Sequence, residues 1–130
     1  MQQVAAAIII EKGHILICQR GPGGPCAHLW EFPGGKLEPG ETLQDCLCRE
    51  CLEELNLEIM VDGLYHQTPY CYGEKEFLFS FFRAHIMSGA LQQNVHAAIA
   101  WVSPEQLLQY PFCPADQDVI NRLNAEKASI

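Results

Sequence analysis

The stretch Gly35–Leu57, GKLEPGETLQDCLCRECLEELNL, decides the reading of this chain. It begins as a loop, with turn chemistry at Glu38, Pro39, Gly40 and Glu41, and Thr42 stands where a helix N-cap would be placed. From Leu43 to about Leu55 there is no Gly or Pro, and helix formers predominate. On that helix Glu50, Glu53 and Glu54 fall at i, i+3 and i+4, so three carboxylates share a face. At roughly 100° per residue, Leu47, Cys48, Cys51, Leu52 and Leu55 cluster about 130° round from them. The expectation is a helix with a buried side and a separate acidic side. Like charges at this spacing repel, so the face is either fully solvated or neutralised by a hard, oxygen-seeking divalent cation.

With Arg49 beside the carboxylates, the stretch resembles the box of the Nudix hydrolases, G-x5-E-x7-R-E-U-x-E-E-x-G-U, where U is aliphatic. The match falls on Gly35, Glu41, Arg49, Glu50, Cys51, Glu53, Glu54 and Leu57. Cys51 replaces the usual aliphatic residue, and Cys is itself a small hydrophobe. Asn56 replaces the Gly of the box, and Asn is the next most tolerant residue of a left-handed helix end. The resemblance runs over essentially the whole chain. Leu29-Trp30-Glu31-Phe32-Pro33-Gly34-Gly35-Lys36 looks like the MutT branch of nucleoside triphosphate pyrophosphohydrolases. Ala100–Glu105, Leu108–Pro111 and Pro114-Ala115-Asp116 are similar to the bacterial CTP pyrophosphohydrolases of that branch.

The resemblance implies an α/β fold, an α/β/α sandwich with a mixed central β-sheet. It also implies attack of water on a phosphorus of a nucleotide, giving a monophosphate and pyrophosphate. Glu50, Glu53 and Glu54, with the Gly34 carbonyl, would hold Mg²⁺, with Mn²⁺ as an alternative, and Glu50 stands where the family often places a general base. Glu41 and Arg49 would support the loop–helix unit. Arg20 is a substrate-contact candidate, or else a surface charge. Phe32 is a core aromatic or a wall of the base pocket. Asp116 is a reader of the base, favouring cytosine if ionised, or the N-cap of the last helix. Relatives often carry a further Glu where this chain has Val95; His96, Asn94, Glu50 alone or Glu74 are the substitutes the sequence offers. Oxidised purine nucleotides such as 8-oxo-dGTP stand beside CTP and dCTP as substrates, and the role is nucleotide-pool sanitation. The alternatives are a dinucleoside polyphosphate or nucleoside diphosphate sugar hydrolase, and a silent nucleotide-binding module.

The 130 residues suit one domain, 1–130, and 48% hydrophobic residues give a globular composition. A net charge of −8 argues against a nucleic-acid polymer as partner, which calls for a basic groove, and for a small nucleotide brought in with metal. No run of apolar residues reaches a membrane span. The apolar N-terminus lacks a basic leader and a cleavage site, so cytoplasmic localisation is expected, as a monomer or homodimer. Seven cysteines without an export signal read as reduced thiols. Cys46 and Cys48 point about 200° apart on a helix, which speaks against zinc.

Outside the box, Val4–Ile10 and His14–Gln19 read as a hairpin turned at Gly13. The Gly- and Pro-rich segment 21–28 reads as a mobile loop with His28 on its surface, and Trp30–Phe32 as a short strand. Leu57–Tyr65 is a strand, 66–73 a polar–aromatic loop with Tyr70 and Tyr72, and Glu76–Ile86 a strand with Phe77, Phe79 and Phe81 on one face. His85 within it reads as half-buried and satisfied. A strand over 97–102, a short helix from Pro104 to about Gln109 and an amphipathic helix from Ala115 to about Ala125 complete the expectation.

Overall fold

The first strand, β1 (Gln2–Glu11), explains most of the architecture. It pairs in parallel with β6 (Lys75–Ser88) from Gln2 to Ile9, antiparallel with β4 (Gly34–Lys36) through Val4, Ala5 and Ala6, and antiparallel with β2 (His14–Gln19) at Ile10 and Glu11. The computed structural model describes all residues from Met1 to Ile130. The sheet is completed by β3 (Trp30–Glu31), β5 (Glu58–Tyr72) and β7 (Ala98–Val102), in the order β3-β2-β1-β6-β5, with β4 on β1 and β7 on β2. One parallel pair among antiparallel ones makes it a mixed sheet.

β1 is continuously apolar from Val4 to Ile10 because both faces of its central part are covered. Ala5, Ala7 and Ile9 join one core with Leu47, Cys51 and Leu55 of helix α1 (Leu43–Leu55). Ala6 and Ile8 join the other with Val119, Ile120 and Leu123 of helix α2 (Gln117–Ala125). The period of two thus sorts consecutive residues into separate cores, and the result is the expected α/β/α sandwich. Alanines at positions 5 and 6 let β4 lie close: a Cβ on Gly34 would collide with the Ala5 carbonyl oxygen.

Helix α1 starts as expected. Thr42 Oγ1 accepts from the Asp45 amide at 3.0 Å, and the Asp45 carboxylate accepts from the Thr42 amide at 3.3 Å. It ends on Asn56 at φ 58°, the left-handed conformation that Asn tolerates. The two-sided picture of the helix needs correcting. Cys48 and Leu52 are exposed, whereas Cys46 is fully buried. The buried arc therefore runs from Cys46 through Leu47 and Cys51 to Leu55, and by helical geometry Glu50 and Glu54 lie inside it. Their side chains are only 16% and 17% exposed, against 61% for Glu53.

Two further differences concern strands and a third the last helix. β4 was not expected, because a Gly-Gly-Lys segment has no strand propensity and is held by its partner β1. Residues 66–73 are not a loop: β5 continues to Tyr72 and turns through Gly73, at φ 63°, and Glu74 into β6, with Tyr72 opposite Lys75. Pro69 is tolerated because β5 is the edge strand. The last α-helix begins at Gln117, after a 3₁₀ turn over Pro114–Asp116, and Asp116 makes no capping bond. Phe77, Phe79 and Phe81 do share a face, with neighbouring ring centroids 5.9 and 6.4 Å apart. His85 is half exposed and pairs with Asp62 at 3.0 Å.

Candidate active site

The loop before α1 and the helix itself are tied by Arg49. Its Nε and Nη2 donate to the two oxygens of Glu41 at 2.6 and 3.0 Å, and its Nη1 donates to Glu50 Oε1 at 2.8 Å. Glu53 Oε2 lies 3.5 Å from the same Nη1. Arg49 holds the Glu41 carboxyl down at about 2. Glu41 in turn accepts from the Glu38 amide at 3.0 Å, so the loop is fixed on the helix at both ends. Gly35 lies directly against the cluster, since a Cβ there would meet Glu50 Cδ at 2.5 Å.

Glu54 is in the opposite situation. Its Oε1 is buried without a hydrogen-bond partner. Burial first, then the neighbouring Glu50 and the charge of Glu31, push its carboxyl up to about 9. His96, 4% exposed in its side chain, lies against both carboxylates: Nε2 is 3.3 Å from Glu31 Oε2 and 4.0 Å from Glu54 Oε1. Val95 points into solvent. Asn94 serves the helix end instead, donating from Nδ2 to the Glu53 carbonyl and from its amide to that of Glu54. Glu74 lies at the exposed tip of the β5–β6 hairpin.

Glu54 and Gly34 line a cavity of about 450 Å³ together with Arg20, Phe32 and Asp116. That volume is within the usual range of small-molecule sites. Arg20 Nη1 pairs with Glu31 Oε1 at 3.1 Å, and its Nε is buried without a partner. Phe32 is buried and stacks at a tilt on Phe112, 5.5 Å away, so it is both core and wall. Asp116 is 5% exposed, with Oδ2 unpartnered. Burial and the charge of Glu31 push its carboxyl well above the usual range, against the pull of Arg20. Glu41, Arg49, Glu50 and Glu53 do not line the cavity. Sequence reasoning passed over Glu31, which links Arg20 to His96. It also passed over the cavity face of Tyr72, which reaches Cys26 Sγ at 3.4 Å. A Trp-Glu-Phe strand carries no spacing signal for Glu31, and the Tyr72 contact depends on a hairpin read as a loop.

No three acidic, histidine or cysteine side chains converge as a ready-made metal cage. The donors nevertheless suit a hard divalent ion: oxygen only, two of them partly buried, and one with an orphaned buried oxygen that a cation would satisfy.

A loop–helix unit carrying an Arg-braced carboxylate cluster, seated on a mixed sheet between two helices, defines a Nudix hydrolase, and the chain belongs to that family: residues 1–123 match the NUDIX domain. It is 41% identical to the CTP pyrophosphohydrolase of Escherichia coli strain K12, over 99% of this chain and 96% of that protein. It is 35% identical to the 8-oxo-dGTP diphosphatase of Haemophilus influenzae, over 93% and 90%. Among solved structures, that of the E. coli ORF135 protein superposes with a TM-score of 0.86 at 37% identity, covering 99% of this chain and 92% of that one. The MutT protein of Methanosarcina mazei superposes at 0.84 with 25% identity, over 96% and 94%. The protein is thus a MutT-type hydrolase acting on phosphorus anhydrides. No helix is long and apolar enough to cross a membrane.

Proposed function

We propose that this chain is a Mg²⁺-dependent nucleoside triphosphate pyrophosphohydrolase that releases pyrophosphate and a nucleoside monophosphate. Cytosine nucleotides and oxidised purine nucleotides are the substrate classes, and the role is sanitation of the cytoplasmic nucleotide pool. One observation carries the reading: Glu54 and Gly34 line the same cavity as Phe32 and Asp116. The first pair suits a metal-bearing phosphate chain and the second a base.

Glu50, Glu53 and Glu54, with the Gly34 carbonyl, would hold Mg²⁺, or Mn²⁺ in its place. When bound, such an ion offsets charge on phosphoryl oxygens and makes water a competent nucleophile. Arg20 supplies positive charge to the phosphates. Glu50 accepts the proton of the attacking water at a carboxylate oxygen, and Arg49, donating to Glu50 Oε1, fixes its orientation. Phe32 flanks the base. Asp116 hydrogen-bonds its edge; burial favours its protonated form, which both donates and accepts. His96 lies beside Glu54 and takes the place of the further Glu that relatives often carry where this chain has Val95. The unit 1–130 acts as one domain, as a monomer or homodimer, on free nucleotides rather than on a polymer.

Val95 in solvent favours a second reading, a silent nucleotide-binding module. The two separate on pyrophosphate release from CTP, dCTP, UTP, dTTP and 8-oxo-dGTP, with Mg²⁺ and with EDTA. The expected result is release from cytosine or oxidised purine substrates that EDTA abolishes. Binding without release from any of them would sink the enzyme reading. Activity confined to nucleoside diphosphate sugars or dinucleoside polyphosphates would redirect the substrate class.

A further inference from the structure

The last turn of α1 carries Glu53 and Glu54, and a helix C-terminus is an unfavourable place for carboxylates. It presents free carbonyl oxygens and the negative pole of the helix dipole. No basic residue stands in that turn to offset them. The chain leaves the helix at Asn56, whose amide donates to the Leu52 carbonyl at 3.1 Å, while the Leu57 amide turns back to the Cys51 carbonyl at 3.4 Å. The carbonyls of Glu53, Glu54 and Leu55 therefore have no donor from their own helix.

The segment between β6 and β7 supplies all three donors. The Gln92 amide donates to the Leu55 carbonyl at 2.9 Å, and the Asn94 amide to the Glu54 carbonyl at 3.2 Å. The third donor is a side chain: Asn94 Nδ2 reaches the Glu53 carbonyl at 3.0 Å. One residue thus grips the consecutive carbonyls of Glu53 and Glu54. The segment is itself fixed on either side. Asn56 Nδ2 donates to the Ala90 carbonyl at 3.1 Å, and the Ala97 amide to the Gln19 carbonyl at 2.9 Å. Between Asn94 and Ala97 the chain leaves Val95 exposed and buries His96 beside Glu54.

We infer that Asn94 is a positioning residue for the divalent ion. By holding the carbonyls of Glu53 and Glu54 it fixes the backbone from which both carboxylates project. The inference rests on the metal reading proposed above. A last turn ordered before the ion arrives need not be ordered by it, so the grip raises affinity without touching the ion. The Asn94 side chain is exposed, and in its absence water would satisfy the Glu53 carbonyl. Water would not hold that carbonyl in place. A tie that was merely structural would alter resistance to urea and leave metal affinity alone.

The test titrates the nucleotide-free full chain with Mn²⁺ and reads the free ion by its electron paramagnetic resonance signal. Asn94→Ala should raise the Mn²⁺ dissociation constant about tenfold, the loss typical of a residue that orients a metal ligand. The Mg²⁺ concentration giving half-maximal release of pyrophosphate from CTP should rise by the same factor. KM for CTP at saturating Mg²⁺ should stay within about twofold of the parent. Gln92→Ala should match the parent throughout, because the Gln92 tie to Leu55 uses the backbone alone. Should Asn94→Ala fail to fold, Asn94→Leu, close in size and without the donor, is read in the same way. An unchanged Mn²⁺ dissociation constant in the folded variant, or an equal loss in Gln92→Ala, overturns the inference. Failure of the function reading is seen in the parent. Mn²⁺ that binds there and is weakened by Asn94→Ala, with no nucleotide hydrolysed, sinks the enzyme reading alone. A parent that takes up no Mn²⁺ sinks the metal reading and this inference together.

Discussion

Glu54 is the residue at which stability and function oppose each other. Its carboxyl is pushed up to about 9 in the fold, against about 4.5 for a free Glu. The folded state therefore binds more protons than the unfolded one between those values, and metal-free stability falls as pH rises through that window. Chemical denaturation in EDTA at pH 5 and pH 8 should show the lower stability at pH 8. Glu54→Gln should flatten that slope and remove at least nine-tenths of the pyrophosphate release, about 1.4 kcal/mol of barrier or more. An unchanged pH slope in the variant would assign the titration to another group. Asp116 is the second such residue, and here the structure alters the expectation. Burial favours the protonated carboxyl, which resembles an amide in having a donor and an acceptor, so Asp116→Asn should keep the preference of CTP over UTP within a few-fold. Asp116→Ala should lose a neutral hydrogen bond of about 0.5–1.5 kcal/mol, roughly 2- to 12-fold in the ratio of kcat/KM values. A collapse with Asn as large as with Ala would mean an ionised carboxylate. Asp116 was legible as a candidate from its Pro-Ala-Asp setting, but its protonation was not, because burial is a property of the surroundings.

At the scale of the element, α1 shows both what a sequence discloses and where it stops. Its length, its Thr42 cap and its Asn56 end follow from local chemistry and could be read directly. Which arc is buried depends on the sheet beneath. With Cys48 and Leu52 taken as apolar, the expected face turns away from Glu50 and Glu54, which are in fact largely covered, Glu50 by Gly35 of β4. The same limit explains β4 and the outer half of β5, held by pairing partners distant in sequence. The Asn56 end makes its own prediction. The residue is left-handed, its side chain donates to the Ala90 carbonyl at 3.1 Å, and Gly89 lies so close that a Cβ there would strike the Asn56 carbonyl oxygen. Asn56→Ala should cost about 1–2 kcal/mol from the left-handed conformation. Asn56→Gly, which restores the residue usual in the box, should fall nearer the parent, losing the Ala90 bond but no conformational ease. Urea midpoints of the three proteins check the order; an Ala variant as stable as the parent would refute it.

On the scale of the whole molecule, a chain of net charge −8 binds a polyanion only where it gathers its few cations or borrows some. Arg20, Lys36 and Lys75, three of its eight Lys and Arg residues, line the cavity. A divalent ion at the carboxylates would add to them. Mg²⁺ should then stabilise the fold: at about 100 times its dissociation constant it contributes roughly 2.7 kcal/mol, which for a chain of this size shifts Tm on the order of 10 °C. Because Glu54 must release its proton to bind a cation, the effect should grow as pH rises towards 9. Screening of the net charge is the competing cause, since any salt relieves self-repulsion in an acidic protein. NaCl at matched ionic strength separates the two, because screening has no preference for a particular carboxylate. The shift with Mg²⁺ should exceed that with NaCl, vanish with EDTA and shrink in Glu54→Gln. If NaCl reproduces it, or the variant retains it in full, the divalent ion is not held by α1.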